Sequence, residues 1–342
     1  MIFVTGGTGM VGAHLLYDLV INGKKVRALK RPESNIRLVE KIFAYYSLEF
    51  QLLLQNIEWV EGDILDKDHL RELLSGIDQI YHMAAIISFD PKDRDIMIHN
   101  NCEGTANLVD LALSLKIPRF CYVSSIAAIG SPPEGIEANE DHPWRNNVDH
   151  SAYAESKYLS EMEVWRAIFQ GLNAVIVNPS VIIGSSDWKS GSSKLFFTVW
   201  KGLKFYTKGG TGFVDVRDVT IAMQRLMEDE AWEEVKNQRY ILNSENIPFR
   251  ELFNYMADSL NVNRPKFFAG NILLKLAWRL SEVKGLLTGT RPVITRETAR
   301  SANKISYYDG SKISRTIKFE YTPVTVSIRN NALLFLKDFS SK

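Results

Sequence analysis

Short apolar runs and longer amphipathic stretches alternate through the first 180 residues, and that alternation sets the fold class. Residues 2–4 have the pattern of a buried strand, and residues 13–20 place apolar side chains at helical spacing. The pattern then repeats, with a strand over 25–29, a long helix over 36–55, and strands over 57–64 and 76–85. A helix over 96–115 leads to a strand over 118–123, and a helix opening at Ser151 leads to a strand over 173–180. Strands spaced by helices in this way predict an α/β fold built on a doubly wound parallel sheet, covered on both faces.

Beyond Ser180 the alternation fades. Residues 184–194 are rich in Ser and Gly and are expected to form a loop. Residues 213–219 make a strand-to-helix step, and 238–243 a further strand. From Pro248 the pattern is mostly helical, with Pro265 and Pro292 as breakers. The expected organisation is a first domain over 1–180, to which 211–243 return. A smaller, mostly helical part comprises 181–210 and 244–342.

The first strand runs into its helix through Thr5-Gly6-Gly7-Thr8-Gly9-Met10-Val11-Gly12. Such a turn points several backbone N–H groups and the positive end of the helix dipole at one spot, which suits a pyrophosphate. Gly6 or Gly7 is expected to make the tight turn, Gly9 to allow close approach of the backbone, and Gly12 to allow close helix–strand packing. Gly7-x-Gly9-x-x-Gly12 alone is a weak signal. Between a strand and a helix at the start of a βαβ unit it is a good one, and it makes the sheet a Rossmann-type one.

Bulk composition narrows the partners. The chain has 342 residues, 45% hydrophobic and 24% charged, as in an ordinary globular enzyme. Its 41 basic and 40 acidic residues give no electrostatic reason to expect nucleic acid or an anionic membrane. Cys102 and Cys121 have no metal-ligand spacing and are expected to be small buried hydrophobes in a reducing compartment; no metal is expected. The N-terminus shows no basic region and no cleavage site, so a cytoplasmic location is expected. The most apolar late stretch, 267–287, is interrupted by Lys275, Arg279, Glu282 and Lys284, so it predicts an amphipathic helix and no membrane span.

Candidate chemistry clusters at the strand tips. Arg31 follows the second strand with no acid immediately beside it. In this fold that position faces the adenosine ribose, where a cation fits a 2′-phosphate and an acid fits a 2′-hydroxyl. Arg31, helped by Lys30 or Arg37, therefore predicts NADP, with NAD as the alternative. Asp63, followed by Ile64, can accept from an adenine amino group or cap the next helix. Ala84 and Ala85 close the fourth strand with small side chains, against which a cofactor can lie. His82, with no paired ligand nearby, is expected to be a structural histidine. Val123, Ser124 and Ser125 end the fifth strand, at the sheet edge where such folds place their sites. Tyr153 and Lys157, four apart, share one helix face. A phenol is a poor acid–base group at neutral pH, but a nearby lysine cation lowers its pKa, and a serine hydroxyl can hold a carbonyl oxygen beside it.

This combination resembles the short-chain dehydrogenase/reductase superfamily, in its extended branch, the NAD-dependent epimerase/dehydratase family. Thr5 to Gly12 matches that branch's TGGxGxxG loop, Tyr153-x-x-x-Lys157 its YxxxK, and Tyr122 to Gly130 its strand with the catalytic serine, which falls on Ser125. Asn101-x-x-Gly104-Thr105, Asn178-Pro179-Ser180 and residues 213–219 fit its cofactor-side and hinge motifs. The resemblance implies that Tyr153 is the general acid/base, that Lys157 also bonds the nicotinamide ribose, and that Pro179 and Ser180 lie near the nicotinamide. Residues 26–31, 291–295 and 308–312 look more like the dihydroflavonol 4-reductase subgroup than the sugar epimerases. One departure matters: the plant enzymes' flavonoid-binding asparagine corresponds here to Gly130, so flavonoids are not supported as substrate.

The leading expectation is an NADP-dependent reductase of a ketone or aldehyde. The alternatives are a nucleotide-sugar epimerase working through a transient ketone and a non-catalytic dinucleotide sensor. Ile126-Ala127 replaces the Asp-Glu pair of family dehydratases, and the presence of both Tyr153 and Lys157 weighs against the sensor. The expected partner is a small carbonyl or hydroxyl compound, with homodimerisation left open. Its pocket wall is expected from the less patterned segments, which offer Trp188, Phe196, Phe197, Trp200, Phe205, Phe267 and Phe268. At least half of these are expected to be core.

Overall fold

The computed structural model describes residues 1–133, 135–145, 150–288, 295, 299 and 301–340. Seven strands form its main sheet: β1 (Ile2–Thr5), β2 (Val26–Lys30), β3 (Ile57–Glu61), β4 (Gln79–His82), β5 (Arg119–Val123), β6 (Ala174–Pro179) and β7 (Gln238–Leu242). They lie in the order β7-β6-β5-β4-β1-β2-β3, and every neighbouring pair is parallel. The expected doubly wound sheet is therefore present. The chain runs outward from β1 to β3 and then crosses back to β4 on the other side of β1. That reversal leaves a crevice at the C-terminal ends of β1 and β4, where such sheets bind ligands.

The sheet is buried on both faces along its middle, where β1 and β6 are buried over their whole length. Val4, Val26 and Ala28 face one core with Leu15, Leu16 and Leu19 of helix α1 (Met10–Ile21). Phe3, Ile80, Phe120 and Tyr122 face a second core, with Val164 and Ala167 of helix α2 (Ala152–Phe169). A third core gathers Trp188, Phe196, Phe213, Met256 and Phe335 in the smaller part.

Several expectations are corrected in detail. The helix expected over 36–55 is two, Arg37–Tyr46 and Phe50–Leu54, because Ser47 leaves the helix in an extended conformation. The helix expected over 96–115 contains a π-helical turn, His99–Glu103, between Arg94–Ile98 and Gly104–Ser114. The extra residue in that turn carries Asn101 inward, where it is buried. The return of 211–243 to the first sheet is divided. Strand Gly210–Asp215 joins a separate sheet with Val181–Ile183 and Glu245–Pro248, whereas Val219, Ala222 and Met223 of the following helix pack into the core under α1. The smaller part is thus less purely helical than its sequence pattern suggests.

The Ser-rich loop is held by its hydroxyls, with Ser192 donating to the Ile182 carbonyl (2.6 Å) and Ser193 to that of Gly184 (2.7 Å). Cys121 is buried, but Cys102 is only half-buried; both are free thiols. Of the aromatics assigned to a pocket wall, Trp188 and Phe196 are core, and Phe197 and Trp200 pack against it. Phe205, Phe267 and Phe268 are exposed. Arg291 to Ile294, including Pro292, lie outside the described residues.

The glycine turn is the most constrained backbone at the crevice. Gly6 has φ +74°, and a Cβ there would sit 2.7 Å from the Ala84 nitrogen. A Cβ on Gly12 would lie 2.1 Å from the Gly6 carbonyl oxygen, so the close contact is between helix and turn. A Cβ on Gly9 would meet only that same oxygen, at 3.4 Å. Gly12→Ala is therefore expected to lower the unfolding free energy by about 2–4 kcal/mol through overpacking. Gly9→Ala should change it by less than about 1 kcal/mol. Urea unfolding of the two variants separates these outcomes, and equal losses would show that the packing account is wrong.

Candidate active site

At the head of the crevice α1 opens at Gly9 without a side-chain cap. Its first-turn N–H groups are available to an anion, and Gly9 leaves the approach clear. Opposite, Thr5 fixes the backbone after β4, its Oγ1 accepting from the Met83 and Ala84 N–H groups at 3.3 Å each. Having accepted two N–H groups, Thr5 donates to His82 Nδ1 (2.7 Å), and His82 Nε2 then donates to Thr105 Oγ1 (3.0 Å). Burial, with the positive charge of Lys157, lowers the His82 pKa to about 3, so it stays neutral. It is a structural histidine, as expected.

Asn101 holds the next stretch. Its Oδ1 accepts from the Ile86 N–H (2.7 Å), and its Nδ2 donates to the Ile86 carbonyl (2.9 Å) and to Ser156 Oγ (3.2 Å). Both ends of the amide are thus used on the chain itself, and they support the floor that carries Ala84 and Ala85. Gly104 lets the same helix press on Ile64, whose Cδ1 would lie 2.3 Å from a Cβ. Thr8, Met10 and Val11 are half-buried along the loop.

Ser125 follows β5 and caps the short helix Ile126–Ile129, its Oγ accepting from the Ala127 N–H at 3.1 Å. Tyr153 stands in the first turn of α2, where Ser151 caps the helix by accepting from the Ala154 N–H (3.0 Å). Burial raises the Tyr153 pKa, and the nearby Ser125 hydroxyl counters it. One turn on, buried Lys157 donates to the Val123 carbonyl (2.7 Å), with its ammonium 4.8 Å from the centre of the Tyr122 ring. Burial lowers its pKa to about 8, opposed by the nearby Glu161 carboxylate. The three residues singled out in the sequence therefore meet at one strand tip.

Two residues of this site escaped the sequence reading. Phe89 packs edge-on against Tyr153, with ring centres 5.8 Å apart, and forms an exposed wall beside it. Glu161, fully buried one turn after Lys157, gathers four donors. Its Oε2 accepts from Ser124 Oγ (2.6 Å) and Asn178 Nδ2 (2.8 Å), and its Oε1 from Arg239 (3.1 Å) and Trp165 Nε1 (3.3 Å). The signal was the spacing: a carboxylate four residues from a lysine on a helix face lined by Ser156 and Ser160. Asn178 also donates to the Ser125 carbonyl (3.0 Å), which ties β6 to the strand tip.

The remaining candidates sit at the ends of the same strands. Pro179 ends β6, and Ser180 follows it. Ser180 Oγ and Asn178 Oδ1 are buried with no hydrogen-bond partner among the described residues. Asp63 is exposed, and one of its oxygens accepts from the Leu65 N–H (2.9 Å); the helix cap is Asp66, bonded to the His69 N–H. Arg31 is exposed at the tip of β2, but it is not free of acids: Glu33 lies 3.2 Å away. Lys30 is held by Glu61 at 2.5 Å. An open cradle at Gly9, an uncapped helix and unpartnered polar atoms at the end of β6 together fit a dinucleotide lying across the sheet edge.

Because Glu161 and Arg239 form a buried ion pair, removing one charge strands the other. Glu161→Gln is expected to lower the unfolding free energy by about 3 kcal/mol, and adding Arg239→Met should recover part of that loss. A urea-unfolding cycle measures the coupling; additive effects would show that the pair is not coupled.

The model of the NAD dependent epimerase/dehydratase family matches residues 2–239. A Synechocystis protein named "Putative dihydroflavonol 4-reductase" is 33% identical over 314 residues, 91% of this chain and 87% of its own length. Sterol demethylase protein B of Methylococcus capsulatus is 28% identical, covering 77% of this chain and 75% of that protein. The structure of a UDP-glucose 4-epimerase from Thermotoga maritima superposes with a TM-score of 0.76 over 99% of both chains at 17% identity, a likeness of fold. The chain is an NAD(P)-dependent oxidoreductase and belongs to the NAD dependent epimerase/dehydratase family, the extended branch of the short-chain dehydrogenases/reductases.

Proposed function

We propose that this protein is an NADP-dependent reductase of a ketone or aldehyde. The observation that carries the reading is Ser125 and Tyr153 side by side, with buried Lys157 one turn on and bonded to the Val123 carbonyl, on the same sheet edge as the glycine loop. A bound dinucleotide would supply the hydride that adds to the carbonyl carbon. Ser125 holds the carbonyl oxygen, and Tyr153 gives its phenolic proton to that oxygen as charge develops on it. A phenol whose pKa is raised by burial holds its proton until then. Lys157 stabilises the phenolate left behind. Met10, Val11 and Gly12 would hold the pyrophosphate with their N–H groups, and Ser180 Oγ is a polar contact for the nicotinamide end. Two free thiols suit a reducing cytoplasm.

Arg31 supports NADP over NAD. Its pairing with Glu33 is exposed on both sides, so the pair holds it only weakly and a 2′-phosphate can displace the carboxylate. Titration of both cofactors by fluorescence should show tighter NADP(H) binding. Arg31→Ala should erase the preference and Glu33→Gln enlarge it. Equal affinities in the unaltered protein would overturn the NADP assignment.

Turnover should follow the charge of Lys157. With its pKa lowered to about 8, the ammonium is present below that pH and lost above it. The reductive kcat/KM is therefore expected to be level at low pH and to fall as pH rises through about 8. Glu161→Gln should move that fall to lower pH, because the carboxylate raises the lysine pKa. Tyr153→Phe should keep cofactor binding but reduce turnover by roughly a hundredfold or more. A Tyr153→Phe variant with near-normal rates would show that the proton comes from elsewhere. Interconversion of nucleotide sugars without net NADPH consumption would favour the epimerase reading.

A further inference from the structure

We propose that helix α3 (Asn271–Thr288), together with the strand pair that precedes it, docks this protein on the surface of an anionic lipid bilayer. The helix turns apolar side chains outward. Ile272, Leu276 and Leu280 recur every four residues on one stripe, with Leu273 beside them, and these four are 40% to 79% exposed. Leu274, Ala277 and Trp278, on the other side, are half-buried. Single exposed leucines are ordinary on protein surfaces, but a continuous stripe of them marks a contact. Just before the helix, Phe267–Phe268 pairs with Phe205–Tyr206, and the three phenylalanines are 43% to 59% exposed.

The charge around this apolar surface selects the partner. Residues 201–209 and 262–281 carry seven basic side chains and no acidic one, and the rest of the helix adds one of each, Lys284 and Glu282, in a chain whose overall count is 41 basic to 40 acidic. Arg264 is held by Asp258 at 2.6 Å. The other six, Lys201, Lys204, Lys208, Lys266, Lys275 and Arg279, are exposed and in no ion pair among the described residues. Lys208 and Lys201 lie against aromatic rings, 4.9 Å from that of Phe268 and 4.8 Å from that of Trp200. Long basic side chains beside leucine and phenylalanine suit the boundary between headgroups and acyl chains.

A second copy of the same surface would set cations against cations, which disfavours a symmetric dimer. A spanning role is ruled out for the described helices, because none is long and apolar enough to cross a membrane. An anionic interface meets both demands, apolar depth for the stripe and negative charge for its rim.

Flotation with vesicles tests this. The full chain should float with phosphatidylcholine vesicles containing roughly a third phosphatidylglycerol, and less with phosphatidylcholine alone or at raised salt. L276E/L280E changes exposed positions and should reduce flotation by about tenfold or more, with circular dichroism and NADPH binding unchanged. K275Q/R279Q should weaken binding mainly to the anionic vesicles. Absence of flotation by the unaltered protein, or flotation unaffected by L276E/L280E and K275Q/R279Q, would overturn the proposal. A dimer that L276E/L280E dissociates, without vesicle binding, would overturn it in favour of a second copy.

Discussion

Everything at the reactive edge depends on backbone meeting backbone where the sheet reverses direction. Between β1 and β4 the turn at Gly6 leaves no room for a side chain against Ala84, and Gly12 leaves none against Gly6. These contacts set where α1 begins, and so where its uncapped N–H groups point. They also fix the small-residue floor after β4, which Thr5 and Asn101 hold by hydrogen bonds to the backbone at Met83, Ala84 and Ile86. An anion cradle made of main chain needs this crowding, because the freedom left at the turn is on the open side at Gly9.

The second support is a buried charge. Glu161 joins β5 through Ser124, β6 through Asn178 and β7 through Arg239, while sitting on the helix that carries Tyr153 and Lys157. The strand tip and the helix that carries Tyr153 and Lys157 are thus held by one carboxylate, within a set of donors that satisfies it. The same charge opposes the desolvation of Lys157 and keeps its pKa near physiological pH instead of lower still. A hydrophobic residue at 161 could pack as well, but it could not do both.

The sheet, and the meeting of Ser125, Tyr153 and Lys157 at one strand tip, were legible because each rests on a local pattern: apolar strands at regular spacing, glycines between strand and helix, and Tyr153 four residues before Lys157. What escaped depends on contacts distant in sequence. Nothing local reveals that Ser47 breaks a helix, that His99–Glu103 winds as a π-turn, or that strand Gly210–Asp215 leaves the main sheet. Trp188, Phe196, Phe197 and Trp200 fall in or against the core, in line with the expectation that at least half of the seven aromatics would; which ones was not legible, since their partners, Phe335 and Phe339, lie some 140 residues away. Arg31 had no acid immediately beside it in sequence, yet the turn at Pro32 brings Glu33 back onto it.

The departure at Gly130 has a structural cause. Gly130 ends the short helix that Ser125 opens, at φ +86° and ψ −175°, a conformation that side chains disfavour. Its carbonyl accepts from the Tyr308 hydroxyl at 3.0 Å. Tyr308 in turn offers its own carbonyl to Asn243 Nδ2 (2.7 Å), just after β7, and Gly310 packs so closely on Asn243 that a Cβ would lie 2.2 Å from its carbonyl oxygen. Residues 308–310 therefore fasten the Ser125 helix to the far edge of the sheet. An asparagine at 130 would strain this backbone, which is held instead by a tyrosine 178 residues away in sequence.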